Sequence, residues 1–266
     1  MTIPIYINKS KKNSDRQKKS LKKSLLCKTN KIKKSLILKY RSRQGRSFST
    51  GHITIWHRGG KKKNSFRNIK SQLSYYSLCL AVCYDPQRTS FISFNFDFNK
   101  NFFFMNLACA GCYSGSLLIS NVNFFNFNLG LQTSLSQIPP GTIVYNLILN
   151  QNINKQEKYI KSAGTFGQIV QKDYVFSKIK LPSGKIKKIS VKSIATVGVV
   201  SNQNNSLIIF GSAGNKRNIG RRPIVRGIVM NPVDHPHGGR TNGGRPSVTP
   251  WGFPTKNKFY LGKKNE

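Results

Sequence analysis

Apolar residues recur at every second position in short runs along the middle of the chain. In "LCLAVCYDPQRTSFISFNF", two such runs flank Asp85-Pro86-Gln87-Arg88. A period of two is that of a half-buried strand, and Asp followed by Pro suits the first two positions of a type I turn. The stretch therefore predicts a β-hairpin, and "NFFFMNLACA" predicts a further strand. A second series opens near Ile138, where "IPPGTIVYNLIL" begins with a Pro-Pro-Gly turn and runs into an alternating strand. "AGTFGQIVQ", "YVFSKIKLPSGKIKKISV" and "ATVGVV" continue it, with a hairpin about Pro182-Ser183-Gly184. Earlier in the chain, "GHITIWHRGG" alternates at Ile53, Ile55 and His57 before Gly59-Gly60, which predicts a strand ending in a turn. No helix of any length is indicated. Short strands at this spacing predict an all-β chain built as a sandwich or barrels.

Both flanks lack such a pattern. Residues 9–46 are a Lys/Arg/Ser-rich run without a sustained apolar face, expected to order only on a partner. After Phe210 the chain is dense in Gly, Pro and Arg, with too few apolar residues for a core. The uncharged window Phe102–Ser120 has the length of a membrane span, but Asn106, Gly111, Tyr113 and Gly115 interrupt it. Buried strands account for it better, and no membrane span is expected. Met1–Ser10 has no long apolar stretch of the secretory kind.

Charge changes the picture. The 266 residues carry 45 Lys+Arg against 7 Asp+Glu, a formal net charge of +38. The cations divide as 22 in residues 1–70, 2 in 71–154 and 21 in 155–266. A neutral apolar body thus has basic chain on both sides, and that much like charge calls for a polyanion. The lysines of the second hairpin, among them Lys178, Lys180, Lys185, Lys187, Lys188 and Lys192, are expected to give one barrel edge a basic face. Arg217, Arg221, Arg222, Arg226, Arg240 and Arg245 offer planar forks that match phosphates and guanine edges. Abundant Phe, Asn, Ile and Lys point to AT-rich codons and an organellar gene.

Two clusters raise the question of chemistry. In "MNPVDHPHGGR", His235 precedes a proline, which steers its backbone towards an extended conformation, so that His235 and His237 project to one side. A His-x-His pair can begin a zinc site, but such sites usually take four ligands and only Asp234 stands nearby. No Ser or Cys sits at a recognisable nucleophile elbow. A metal-assisted enzyme is therefore the weaker reading of this motif, and a stiff peptide lying on RNA the stronger. Cys79, Cys83, Cys109 and Cys112 give C-x3-C…C-x2-C, faintly like a zinc ribbon. In a regular strand Cys79 and Cys83 would share a face about 13 Å apart, too far to grip one ion. Ordinary buried thiols are expected.

The strings "SAGNKRNIGRRPIVRGIVMNPVDHPHGGR" and "SVTPWGFPTK" closely resemble the C-terminal signature of the universal large-subunit ribosomal protein two family. "GHITIWHRGG", "YDPQRTS", "IPPGTIVYN", "KSAGTFGQIV" and "LPSGKIKKI" resemble successive parts of its two barrels. The resemblance covers roughly residues 41–98 and 137–256; it is weak over Asn99–Gln137, and "NQNINKQEKY" replaces a Gly-rich loop of the family. It implies an OB-like barrel followed by an SH3-like barrel: an extension over 1–50, barrels over 51–136 and 137–206, and an rRNA-penetrating extension over 207–266. It also implies a non-enzymatic constituent of the large subunit near the peptidyl-transferase region. In the family, the histidine matching His235 is linked to that reaction, which RNA itself carries.

The partners so implied are large-subunit rRNA, neighbouring ribosomal proteins and the small subunit across the intersubunit face, in a mitochondrion rather than a plastid. Candidate rRNA contacts are His57, Arg58, Lys61, Lys62 and Lys63; Lys161, Ser162, Thr165, Lys185 and Lys187; and Arg217, Arg221, Arg222, Arg226, Asp234, His235, His237 and Arg240. No catalytic residue, protein-bound metal or cofactor is expected. Asp234 either orients His235, pairs with an arginine or meets RNA through a hydrated Mg²⁺. The rival to ribosomal binding, a free OB-fold single-strand binder, would need aromatic platforms among basic residues, whereas the Phe-rich stretch lies apart from charge.

Overall fold

The computed structural model describes residues 4–7, 13, 18–22, 24, 26–27, 34–39, 45–62, 64–69, 76–120, 128–149, 158–239 and 246–255. It divides into two compact units, Met1–Arg41 with Lys62–Asn215, and Ser42–Lys61 with Lys216–Glu266.

The first unit is all-β. Its strands are β1 (Ile5–Ile7), β2 (Lys19–Leu21), β3 (Ile37–Lys39), β4 (Ser65–Arg67), β5 (Tyr76–Cys83), β6 (Ile92–Asp97), β7 (Phe102–Leu107), β8 (Leu117–Ile119), β9 (Gln132–Ser134), β10 (Ile143–Ile148), β11 (Lys158–Tyr159), β12 (Gly167–Lys172), β13 (Phe176–Lys180), β14 (Ile186–Ser190) and β15 (Ile194–Val197). The OB-like part holds a four-stranded sheet in the order β7-β6-β5-β8. The SH3-like part holds a sheet in the order β14-β13-β12-β10-β15-β9, with β11 on β10.

The hairpin expected about Asp85-Pro86 is the β5–β6 pair. Asp85 closes its turn twice: its carbonyl accepts the Arg88 N–H at 3.4 Å and its Oδ1 accepts the Gln87 N–H at 2.9 Å. The window tested for a membrane span forms β7, a turn and β8, and no helix among the described residues is long and apolar enough to cross a bilayer.

Backbone bonds tie the two barrels together. Ala110 N–H donates to the Val199 carbonyl at 2.8 Å and Ser201 N–H to the Ala108 carbonyl at 3.1 Å, and the Asn202 side-chain Nδ2 adds a bond to the Thr89 carbonyl at 2.6 Å. One hydrophobic cluster spans both, joining Cys79, Leu107 and Leu118 to Tyr145, Ile160 and Val200. The two barrels share a core, so the cleft between them is a fixed feature of one body.

Four expectations are corrected. Residues 51–60 form no strand. Ile53 makes an isolated bridge to Arg46, the Thr54 and Ile55 N–H groups both turn onto the Gly45 carbonyl, and His57 has φ 57°. Alternation alone makes no strand where no core lies behind it, and Ile53, Ile55 and Trp56 are exposed. A six-residue helix, α1 (Ala213–Asn218), appears where none was indicated. It buries nothing, so it has no apolar period to read; Lys216 and Arg217 favour its C-terminal end and Gly220, at φ 94°, ends it.

The basic N-terminal run does not wait for an external partner at its described positions. β2 pairs with β1, Lys19 bridges Ile209, and Leu21 and Leu26 are buried in the core. Finally, a bulge between Cys79 and Ala81 breaks the regular register of β5. Cys79 joins the cluster shared by the barrels, while Cys83 packs with Ile92, Met105 and Cys27.

Candidate nucleic-acid interface

The second unit is built with little apolar core. Its buried residues include Gly59, Gly220, His235 and Gly238, and backbone bonds hold it. Gly59 N–H donates to the Gly220 carbonyl at 3.1 Å, Arg222 N–H to the His57 carbonyl at 3.0 Å, and Arg58 bridges Arg221. Glycine is required where the two segments touch: a Cβ on Gly220 would lie 3.0 Å from Lys61 Cβ. Paired backbones here expose the side chains between them. Arg217, Arg221, Arg222 and Arg226 are exposed and Arg58 half-exposed, and none makes an ion pair among the described residues.

The histidine motif is a compact turn, not the extended rod expected from His-Pro. Asp234 and His235 N–H groups both donate to the Asn231 carbonyl, Gly238 N–H to His235 at 2.8 Å, and Gly239 N–H to Met230. The turn sets the imidazoles side by side and tilted, with centroids 4.8 Å apart and planes at 48°. Nδ1 of His235 accepts the His237 N–H at 3.0 Å, and the ring rests against Gly227, where a Cβ would come within 2.6 Å of that nitrogen. His237 Nε2 lies 2.8 Å from the Pro246 carbonyl, a bond donated by the Nε2–H tautomer. Both rings are thus occupied in building the turn. Asp234 is exposed and takes no hydrogen bond from His235 or from an arginine among the described residues.

A second cationic place lies in the first unit. Phe66, Asn68, Gln87, Arg88, Asn146, Lys158, Lys161 and Ser162 line a cleft of about 510 Å³ between the barrels. Arg88 is fixed by Asp85 Oδ2 at 2.5 Å and by the Phe66 ring, 4.7 Å from its guanidinium carbon. Burial, then the charges of Lys161 and Arg88, pull the Lys158 ammonium below the ordinary lysine value. Three cations therefore line a hollow whose described lining residues include no carboxylate, Arg88 alone having a counter-charge in Asp85 behind it.

Of the residues singled out in the sequence, Lys161 and Ser162 line this cleft. Thr165 instead closes the next turn, its hydroxyl donating to the Ser162 carbonyl at 2.7 Å. Lys185 is exposed in the β13–β14 turn, at the edge of the sheet. Lys187 is engaged internally: its ammonium lies 4.4 Å from the Tyr159 ring centroid and donates to that hydroxyl at 2.5 Å. His57, Arg58 and Lys61 come together with the C-terminal arginines, and Lys62 is exposed. Lys63, Arg240, Arg245 and most of the replaced loop (150–157) lie outside the described residues. Sequence reasoning misses Arg88, Lys158 and Asn146 as cleft residues; Arg88 stands within "YDPQRTS", where its position in a turn is the more obvious signal.

No group of three or more His, Cys, Asp or Glu among the described residues is arranged to hold a metal ion. The thiols instead hydrogen-bond to one another. Cys79 and Cys112 Sγ atoms are 3.6 Å apart, and bonds from Cys109, Cys79 and Ser116 hold Cys112 well below the usual thiol value against the opposing effect of burial.

Two family models match the chain: the ribosomal protein L2 RNA-binding N-terminal domain over residues 33–120, and the L2 C-terminal domain over 128–252. These matches run through 99–120 and 128–137, where the sequence resemblance is weak. Among curated proteins, the large ribosomal subunit protein uL2m of Reclinomonas americana is 43% identical over 241 residues, covering 88% of this chain and 85% of its own. The uL2 protein of Orientia tsutsugamushi (strain Ikeda) is 39% identical over 265 residues, covering 97% and 94%. That of Rickettsia canadensis (strain McKiel) is 39% identical over 223 residues, covering 82% and 80%.

Proposed function

Because the chain belongs to the ribosomal protein L2 family, and is a structural, RNA-binding constituent of the large ribosomal subunit, we propose that it seats on large-subunit rRNA near the peptidyl-transferase region. There it supports subunit association and tRNA placement by stiffening the RNA. The observation that carries this reading is a unit with little apolar core whose exposed arginines lack carboxylate partners among the described residues while its backbone is engaged. Such a surface is set in shape before binding and neutral only beside phosphate. Arg58, Arg217, Arg221, Arg222 and Arg226 offer forks to phosphate oxygens, and each contact releases condensed cations. The cleft cations Arg88, Lys158 and Lys161 act alike, with Asn68, Asn146 and Ser162 beside them for ribose hydroxyls or base edges. Lys62 and Lys185, exposed on the first unit, are further candidate phosphate contacts, as are Lys63 and Arg240 by their charge. His235 and His237 shape the turn that enters the RNA and perform no chemistry. Asp234, exposed, meets RNA through a hydrated Mg²⁺ rather than through an arginine.

We place the protein in the mitochondrial ribosome. The uL2m relative supports this, although bacterial uL2 proteins are nearly as similar. Fractionating organelle ribosomes on sucrose gradients, with mass spectrometry of the large subunit, tests the location. Footprinting the purified protein on large-subunit rRNA tests the binding. Protection of one compact rRNA site, in preference to single strands of equal length, supports the reading; equal affinity for both overturns it.

A further inference from the structure

Trp56 and Trp251 are the only tryptophans in the chain, and they stand together on the second unit. Their ring centroids are 6.2 Å apart with planes at 56°. Neither is buried by this pairing: 53% of Trp56 and 66% of Trp251 remain exposed, beside exposed Ile55 and Phe253.

Neither ring hangs from a frayed end. Trp56 lies between Ile55, whose N–H donates to the Gly45 carbonyl at 3.0 Å, and His57, whose carbonyl accepts the Arg222 N–H. Gly45 cannot be replaced there, since a Cβ would fall 2.2 Å from the Ile55 carbonyl oxygen. Trp251 sits in a turn closed by Thr249 N–H to Phe253 at 2.8 Å, Gly252 N–H to Thr249 at 2.9 Å, and Phe253 N–H to the Thr249 hydroxyl at 3.1 Å. Two large apolar faces are thus held open to water by polar scaffolding. Arg58, next but one to Trp56, pairs its backbone with that of Arg221, so the chain beside Trp56 is rich in arginine. The acid among this unit's described residues is Asp234.

An apolar face in a cationic frame fits a flat ring carrying anions. We propose that Trp56 and Trp251 form an aromatic bracket that receives one unpaired nucleobase of the rRNA, with its flanking phosphates on Arg58 and Arg222. Planes tilted by 56° cannot close a parallel sandwich. The base therefore stacks on one indole and turns its edge to the other, the offset and edge-to-face geometries aromatic rings prefer. Stacking of this kind tolerates any base, because each has a π-face. The inference rests on the RNA-binding reading and adds a fixed anchoring point for an extruded nucleotide.

The bracket can be read directly, since the intrinsic tryptophan fluorescence of the full chain comes from this pair alone. The purified protein is titrated with an in-vitro transcript of the large-subunit rRNA, following filter retention and emission together. Binding should quench the emission and protect it from acrylamide. Trp56→Ala and Trp251→Ala, checked for folding by circular dichroism, should each weaken retention on the order of ten-fold. Their salt dependence should stay that of the parent, because stacking releases no cations; Trp56→Phe should recover part of the loss. Retention of RNA with unchanged emission and acrylamide access overturns the bracket while leaving RNA binding intact. So does protection of the indoles only in the assembled subunit, which would make the occupant a protein. Failure to retain RNA at all overturns both readings.

Discussion

Arg88 donates to Asp85 Oδ2 at 2.5 Å from three residues along the same turn, while Asp85 itself is fully buried and also receives Arg67 at 3.2 Å. One carboxylate therefore closes the β5–β6 turn, neutralises a buried arginine and aims a second one into the inter-barrel cleft. Removing it leaves Arg67 buried without a counter-charge. Asp85→Ala should destabilise the protein by about 3–5 kcal/mol, the range for breaking a buried ion pair by deleting one partner. Urea denaturation reads this, and Asp85→Asn, which keeps an acceptor for the Gln87 N–H, should lose less. A loss under about 1 kcal/mol for the alanine variant would mean that Arg67 finds water instead.

Arg88 and Lys161 face the cleft from different barrels, which predicts a particular kind of weakening. Arg88→Gln and Lys161→Gln should each reduce the slope of log affinity against log salt by roughly 0.7–1, as expected for one phosphate contact. Affinity should fall for all RNA sequences alike. A variant that loses affinity with its slope unchanged contacts something other than phosphate.

Lys158 is the place where free and bound protein want opposite things. Its folded pKa lies below the unfolded value because of burial first and the neighbouring cations second. Between those two values the unfolded chain binds more protons, so stability rises with pH; the penalty is fully present below the folded value. Lys158→Met should therefore stabilise the free protein at neutral pH, and the gain should shrink as pH is raised through that window. The same variant should bind RNA less tightly. Melting curves across alkaline pH check the sign, and a gain that grows with pH would refute it.

How much of this is legible in the chain follows from where the energy lies. β5, β6 and the β13–β14 hairpin are readable because one face of each packs on a core, which imposes a period of two, whereas β7 and β10 are readable as short apolar runs buried on both faces. "GHITIWHRGG" has the same period without the core, so the rule misfires. The cleft is hidden because Arg88 is joined to Lys158 and Lys161 by barrel packing, between segments far apart in the chain. Trp56 and Trp251 meet across a still longer separation. The histidine motif is legible as a pair of facing rings, but its turn depends on carbonyls of Met230 and Asn231, about which side-chain identity says little.

The thiols should react in an order set by their bonds. Burial, then Cys27, pushes the Cys83 thiol up to about 12, and Cys79 and Cys109 are raised by their bonds to Cys112. Cys112 is shifted the other way, its thiol lowered below the usual value by those same neighbours. Alkylation of the native protein at neutral pH, mapped by mass spectrometry, should mark Cys112 before Cys79, Cys83 and Cys109, since only the thiolate is nucleophilic. Equal labelling of all four would mean that the protein unfolds to react.

Two glycines of the C-terminal segment separate backbone need from steric need. Gly214 lies in α1, and a Cβ added there would meet nothing within 4 Å, so Gly214→Ala should stabilise that helix by about 0.5–1 kcal/mol and leave RNA binding untouched. A Cβ at Gly227 would instead press on the His235 ring, within 2.6 Å of Nδ1. The ring cannot retreat without giving up the His237 N–H bond at 3.0 Å, and with it the contact between the two imidazoles. Gly227→Ala should therefore loosen the turn from Met230 to Gly239 as a unit, raising amide exchange there and lowering affinity for RNA with little change in the melting of the barrels. Should exchange rise nowhere in that turn, His235 is not the wedge that holds it.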